Sequence, residues 1–331
     1  MKFPGPVLVT GGTGFIGRRL IDRLLALNQE VVSFALPGEP VPDSWGDKVK
    51  VLRGDITNAD DVVAAMTGIH TVFHLAAVVG MGAYDIHWAV TVEGSRNVYD
   101  AAVEEATKVV LASSIVVYGD RIQSEVCHEG LEHGQYQGAY SRAKMAQEKL
   151  ARTYQAERGL ALVVIRPANV YGAGSGPWVE GMLGMIQGDM LTVMGDGSGN
   201  AGLVHVDNLV EAFLLGATNP NAVGQIYTVC DGLDVSWGQY LNDLADMVGK
   251  SPLPNTPLEP LFEAAREHEN PEKLEAMEGM PTFPLEILNL VGSDNRFDTR
   301  KLREELGWKP HFSYAEALDE IRESLASPDR N

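Results

Sequence analysis

"VLVTGGTGFIGRRL", residues 7–20, decides how the rest of this chain is read. A short apolar, β-branched run meets a glycine-rich turn that includes Gly11, Gly14 and Gly17, and then a helical pattern opens. A strand, a tight turn and a helix fit that order. Gly11 permits the turn, Gly14 lets a pyrophosphate approach the backbone, and Gly17 lets the helix pack closely against the strand. The helix N-terminus then offers unpaired N–H groups and partial positive charge to phosphates. A dinucleotide site at the first strand is the expectation.

Working outward, the same alternation continues. Apolar runs at 31–35, 49–54, 71–76, 108–114 and 161–167 are separated by helical patterns at 14–28, 58–68, 86–106 and 137–158. Asn58 stands where a helix N-cap belongs. Strands that are apolar throughout, separated by helices, predict a parallel sheet covered on both faces. The fold class is α/β, a doubly wound parallel sheet of Rossmann type with a smaller, mostly helical C-terminal lobe. Residues 1–170 are read as the dinucleotide-binding domain, with 202–230 crossing back into it. Residues 171–201 and 231–331 are read as the substrate lobe.

The composition is that of a soluble globular protein, 45% hydrophobic and 21% charged, so a sizeable core is available. The formal net charge of −19 repels phosphate backbones and argues against a nucleic-acid partner. Part of that acidity lies in residues 259–279, read as a solvated helical face. No stretch offers about 18 consecutive apolar residues, so no membrane span is expected. No apolar signal-peptide core follows Met1, and the two cysteines, Cys127 and Cys230, have no metal-like spacing. These features predict a cytoplasmic protein with no disulfide framework.

A second stretch carries chemistry. In "GAYSRAKMAQEKL" (138–150), Tyr140 and Lys144 lie four apart and share a helix face. "LASSIVVYGD" (111–120) places Ser113 and Ser114 at the carboxyl end of the preceding strand, where ligands sit in open parallel sheets. A serine hydroxyl there can orient a carbonyl, the phenol can give or take its proton, and the ammonium can stabilise tyrosinate. A tyrosine ordinarily titrates near 10, so the ammonium is expected to bring it about 3 units down. A lone Y-x-x-x-K is common, and its weight here comes from position.

Together these segments resemble the extended short-chain dehydrogenase/reductases, the class that includes sugar-nucleotide epimerases and dehydratases. The resemblance is carried by "TGGTGFIG" (10–17), "GDIT" (54–57), "HLAA" (74–77), "SSIVVYG" (113–119), "YSRAK" (140–144), "RPANVYG" (166–172), "VHVDNL" (204–209) and "LGWKP" (306–310). It implies that Gly11, Gly14, Phe15, Ile16 and Gly17 hold the cofactor's phosphates. It further implies that Asp55 contacts the adenine with Ile56 beside it, and that Leu75, Ala76 and Ala77 line the dinucleotide. Ser114, Tyr140 and Lys144 match the catalytic positions, Lys144 also holding the nicotinamide ribose. Pro167 and Val170 would pack near the nicotinamide. One departure is Thr91 in "TVEGS" (91–95), where the class often has asparagine.

Cofactor type is read from the end of the second strand. Ala35 and Leu36 stand there, neither an acid for the ribose nor an arginine for a 2′-phosphate. The missing arginine favours NAD, Arg18 leaves NADP open, and Glu39 lies too far along the chain. The arginines with which sugar-nucleotide members hold a diphosphate are absent. Ala201 occupies one position, and Arg296 lies on the wrong side of its Gly-x-Asp. Asn169 argues the other way, since it matches a sugar-nucleotide contact. Trp178 and Met182 head an apolar series that suits an apolar ketone or alcohol. The pattern is most like the 3β-hydroxysteroid dehydrogenase and dihydroflavonol reductase branch, and the segment 257–290 is similar too. His70, His74 and His205 are read as structural, with no metal site. The expected activity is hydride transfer between a nicotinamide and a secondary alcohol or ketone of a small molecule. A sugar-nucleotide epimerase or dehydratase with tightly held NAD, and a non-catalytic dinucleotide sensor, stay open beside it. Relatives pair through the helices at 86–106 and 137–158, so a homodimer is expected.

Overall fold

The computed structural model describes residues 2–80, 82–268 and 284–326. In chain order the first half comprises β1 (Val7–Thr10), α1 (Phe15–Ala26), β2 (Val31–Ala35), β3 (Val49–Arg53), α2 (Ala59–Met66), β4 (Thr71–His74), α3 (Tyr84–His87), α4 (Gly94–Glu104), β5 (Lys108–Ala112) and α5 (Ala139–Arg158). The second half comprises β6 (Leu162–Pro167), β7 (Asn169–Tyr171), α6 (Gly181–Gln187), β8 (Val193–Met194), β9 (Leu203–His205), α7 (Val206–Thr218), β10 (Ile226–Val229), α8 (Trp237–Met247), β11 (Asn255–Thr256), α9 (Leu258–His268), α10 (Leu285–Val291), α11 (Arg300–Leu306) and α12 (Tyr314–Ala326).

Seven strands form one sheet in the order β10-β6-β5-β4-β1-β2-β3, and every pairing is parallel. The order reverses direction between β1 and β4, which opens a crevice at their carboxyl ends. Both faces of the sheet are dry. Val7, Val9, Phe73, Val163 and Ile165 pack into one cluster, and Leu8, Val72, Val109, Leu111 and Val164 into another. Neighbouring residues fall on opposite faces because strand side chains alternate, which is why these strands are apolar at nearly every position.

The segment that crosses back does so as β10, which adds to the free side of β6 with Ile226 beside Val164. A third cluster, around Trp237, Tyr240, Met182 and Leu253, fills the C-terminal lobe, and Trp178 packs against both it and the sheet. The helix expected over 86–106 is interrupted. α3 and α4 are joined by a π-helical turn, Trp88–Glu93. The helix expected over 58–68 forms as α2, with the Asn58 side chain accepting from Asp60 N at 3.0 Å. Residues 269–283, which include part of the acidic stretch and of the 257–290 segment, lie outside the described residues. Among the described residues no helix is long and apolar enough to cross a membrane.

Candidate functional site

The glycine turn closes over the crevice at β1. Gly11 has φ +68°, and a Cβ there would stand 2.9 Å from Ala76 N. A Cβ on Gly17 would meet Gly11 O at 2.2 Å, so α1 can approach β1 only with glycine at that point. Gly14 is different. It begins α1 without a side-chain cap, and a Cβ there meets only Gly11 O, at 3.3 Å. The first turn, with Phe15 and Ile16, therefore presents backbone N–H groups to an anion rather than to a protein side chain. This cradle fits a dinucleotide pyrophosphate.

Across the crevice, Leu75 N donates to Thr10 O and Ala76 N to Thr10 Oγ1, which ties the loop carrying Ala77 to β1. Asp55 follows β3 in a turn where its Oδ1 accepts from Thr57 N at 2.8 Å, and Ile56 is buried beside it. Glu39, set aside on sequence distance, is brought back. Its Oε2 accepts from Leu36 N at 3.1 Å and its Oε1 from the Thr13 hydroxyl at 2.5 Å. A carboxylate thus stands between the end of β2 and the glycine turn. The signal was a Pro-Gly turn at Pro37-Gly38, which folds the chain back on itself.

Ser114 meets Tyr140, and Lys144 lies one turn along the same helix. Ser114 follows β5, and its hydroxyl is in hydrogen-bond contact with the half-buried Tyr140. Lys144 is buried one turn along α5, its Nζ donating to Ala112 O at 2.8 Å and to Gln147 Oε1 at 3.0 Å. The expectation that the ammonium depresses the phenol is corrected. Burial pushes Tyr140 up to about 12, against the Ser114 hydrogen bond and with help from Glu286. Burial also pulls Lys144 down to about 7, offset only in part by Glu148. Lys144 Nζ is thus directed at Ala112 O and Gln147 Oε1, and burial dominates the shift of both groups.

Behind Lys144 a buried chain of hydrogen bonds crosses the domain. Gln147 Nε2 donates to Ser95 Oγ at 2.7 Å, Ser95 Oγ donates to Thr91 O, and His74 joins Ser95 to Thr10 at 2.8 Å on each side. Ser95 has spent its proton on Thr91, so His74 donates from Nε2 and accepts at Nδ1. Burial first, and Lys144 second, hold the imidazole neutral, down to about 3. Thr91, which departs from the family asparagine, uses its hydroxyl to accept from Val78 N at 3.3 Å. One turn further along α5, Glu148 is fully buried against Arg166, which donates from Nε at 3.0 Å and from Nη2 at 2.5 Å. It also accepts from the Ser113 hydroxyl at 2.7 Å and meets His133 at 3.1 Å. Burial opposes ionisation of Glu148, but the bonds from His133 and Arg166 outweigh it and hold the carboxyl at about 2.

The remaining residues divide. Pro167 ends β6, and Val170 lies in β7 opposite Val204. Asn169 is buried and donates to Ala201 O at 2.7 Å, so its amide is committed to the protein. Met182 is buried in the lobe's core, while Trp178 is half-buried. Ala201 is fully buried in the same core, and Arg296 is exposed and paired with Asp294 at 2.6 Å. His205 is buried, stacked on Phe312 at 4.0 Å, and bonded to Glu320 at 3.2 Å. With Asp207 these form the grouping of metal-ligand type among the described residues, but Arg19 contacts both carboxylates and supplies the positive charge.

The comparisons with known proteins agree with this geometry. Residues 7–230 match the model of the NAD dependent epimerase/dehydratase family. The chain is 28% identical to a 3-beta-hydroxysteroid dehydrogenase of Mycolicibacterium neoaurum over 96% of this chain and 90% of that protein. It is 25% identical to a 2-alkyl-3-oxoalkanoate reductase of Stenotrophomonas maltophilia, over 97% and 99%. Its fold matches UDP-glucuronic acid 4-epimerase of Bacillus cereus, solved with UDP-glucuronic acid and NAD, with a TM-score of 0.77 at 20% identity over 98% and 99%. The chain belongs to the NAD dependent epimerase/dehydratase family and is an extended short-chain dehydrogenase/reductase enzyme that uses NAD.

Proposed function

We propose that this enzyme interconverts a secondary alcohol and a ketone on a mainly apolar small molecule, a hydroxylated ring compound or a 3-oxoalkanoate-like chain. The observation that carries the reading is the half-buried Tyr140 in contact with Ser114, which follows β5, in a sheet whose β1 opens into the glycine turn at the switch point. Bound NAD supplies the hydride acceptor or donor. Ser114 orients the substrate oxygen. In reduction the Tyr140 phenol gives its proton to that oxygen as the carbonyl becomes an alcohol, and in oxidation the tyrosinate takes the proton back. Lys144 holds its place through Ala112 O and is left with donor capacity for the cofactor's ribose.

The buried Ala201 and the outward, paired Arg296 support an apolar substrate over a sugar nucleotide, whose diphosphate needs cationic partners. The exposed Ile86, next to the His87 that packs on Tyr140, and the exposed Tyr136, four residues before it, support the same choice. The buried, unpaired Cys127 and Cys230 are consistent with a cytoplasmic enzyme, and α4 and α5 are its proposed homodimer face.

The test is turnover of 3β-hydroxysteroids and 3-oxoalkanoate esters with freely added NAD⁺ or NADH, followed by NADH absorbance. Tyr140→Phe should keep NADH binding and lose roughly a thousandfold in turnover. NAD that survives gel filtration, with interconversion of UDP-sugars, would replace this reading by the epimerase one.

A further inference from the structure

Both groups that hold Lys144 Nζ are carbonyls, Ala112 O at 2.8 Å and Gln147 Oε1 at 3.0 Å. The second of them is held in turn by a buried chain that ends at β1. Gln147 is itself buried, and its two amide atoms have different partners: Oε1 faces Lys144, and Nε2 donates to Ser95 Oγ at 2.7 Å. The amide cannot be turned round. Ser95 has one hydroxyl proton, which goes to Thr91 O at 2.6 Å, so Ser95 meets Gln147 only as an acceptor. Ser95 also accepts from His74, whose other ring nitrogen takes the Thr10 hydroxyl, and Thr10 Oγ1 accepts from Ala76 N at 3.2 Å. The chain thus runs one way from β1 outward, and it presents a carbonyl to Lys144.

We propose that Gln147, oriented by Ser95, is a positioning residue that aims Lys144 at the nicotinamide ribose of the cofactor. This rests on Lys144 being the residue that holds that ribose. A tetrahedral nitrogen bonded to its own Cε has three directions left. Ala112 O and Gln147 Oε1 take two of them, and one remains. Lys144 shares a helix face with Tyr140, and the ribose beside a nicotinamide within reach of Tyr140 is the group this last direction serves. The main-chain carbonyl at the end of β5 fixes where the nitrogen sits, and Gln147 fixes which way it turns. With Ala112 O alone, the flexible side chain has two directions to choose between. Gln147 touches neither cofactor nor substrate, and its amide neither gives nor takes a proton near neutral pH. Its action passes through Lys144.

NADH and ADP separate positioning from general disruption of the fold. Both carry adenine and a pyrophosphate, and only NADH carries the nicotinamide ribose. Gln147→Leu should weaken NADH binding about tenfold in fluorescence titration and leave ADP binding, followed by calorimetry, within about twofold of wild type. Should Gln147→Leu fold poorly, Gln147→Met keeps the length of the side chain without its carbonyl, and the same selective loss is expected. Lys144→Met should show the selective loss too. Adding Gln147→Leu to it should cost little more, because two residues that act through one contact do not add. Equal weakening of NADH and ADP by the Gln147 variants overturns the proposal. So does a full additional loss in the double variant, or NADH binding that Lys144→Met weakens and the Gln147 variants do not. NADH binding unmoved in Lys144→Met would instead overturn the reading of Lys144 on which it rests.

Discussion

Two carboxylates show how much a single residue can decide. Glu39 stands where a ribose hydroxyl or a 2′-phosphate would arrive, so it favours NAD by accepting from the first and repelling the second. Glu39→Ala should therefore move the ratio of NADH to NADPH affinity toward NADPH by roughly tenfold, about 1.4 kcal/mol, in fluorescence titrations. Glu148 stands behind the reaction instead. Its pKa falls from 4.5 to about 2 on folding, so its contribution to stability is complete above about 4.5 and is lost as pH falls toward 2. Glu148→Gln leaves Arg166 buried without its counter-charge and should cost about 3–5 kcal/mol at neutral pH in denaturant unfolding. That variant should also lose less stability than the wild type as the solution is acidified from about 4.5 to 2.

At the scale of elements, the glycines of the first turn have separable roles. Gly17→Ala drives a methyl into Gly11 O, a backbone atom that cannot step aside, and should destabilise the fold. Gly14 has φ −74°, and a methyl there would need Gly11 O, 3.3 Å away, to give by only a few tenths of an ångström, so Gly14→Ala should lower the melting temperature far less than Gly17→Ala while weakening NADH binding at least tenfold. Calorimetry on the two variants separates them. The turn was legible in the sequence because strand, glycine spacing and helix are all local. So was the sharing of one face by Tyr140 and Lys144, which helical periodicity dictates. What could not be read were contacts between segments far apart in the chain. The bond between Ser141 and Glu286 spans 145 positions, and no periodicity reports it. The ionisation of Tyr140 was misjudged for a related reason. Spacing placed the ammonium nearby, but its strength depends on burial and on Ala112 O and Gln147, which only the fold supplies.

At the scale of the whole molecule, the lobe and the sheet domain are joined through a shared site. Trp178 packs against both cores, and α10 reaches from one lobe to the segments that carry Ser114 and Tyr140 in the other. A cofactor that binds only the folded state adds about 2.7 kcal/mol at a hundredfold excess over its Kd. NADH should therefore raise the melting temperature in a scanning experiment, and UDP-glucose alone should not. The crossing of β10 back to β6 has a consequence for biogenesis. Until Ile226 leaves the ribosome, β6 is an open edge whose backbone groups invite pairing with another nascent chain. At roughly 5–20 residues per second, the stretch from Pro167 to Ile226 leaves that edge bare for several seconds. Slow translation of this stretch, or a stop codon within it, exposes a template for aggregation, so the newly made half-domain is a natural client for chaperones.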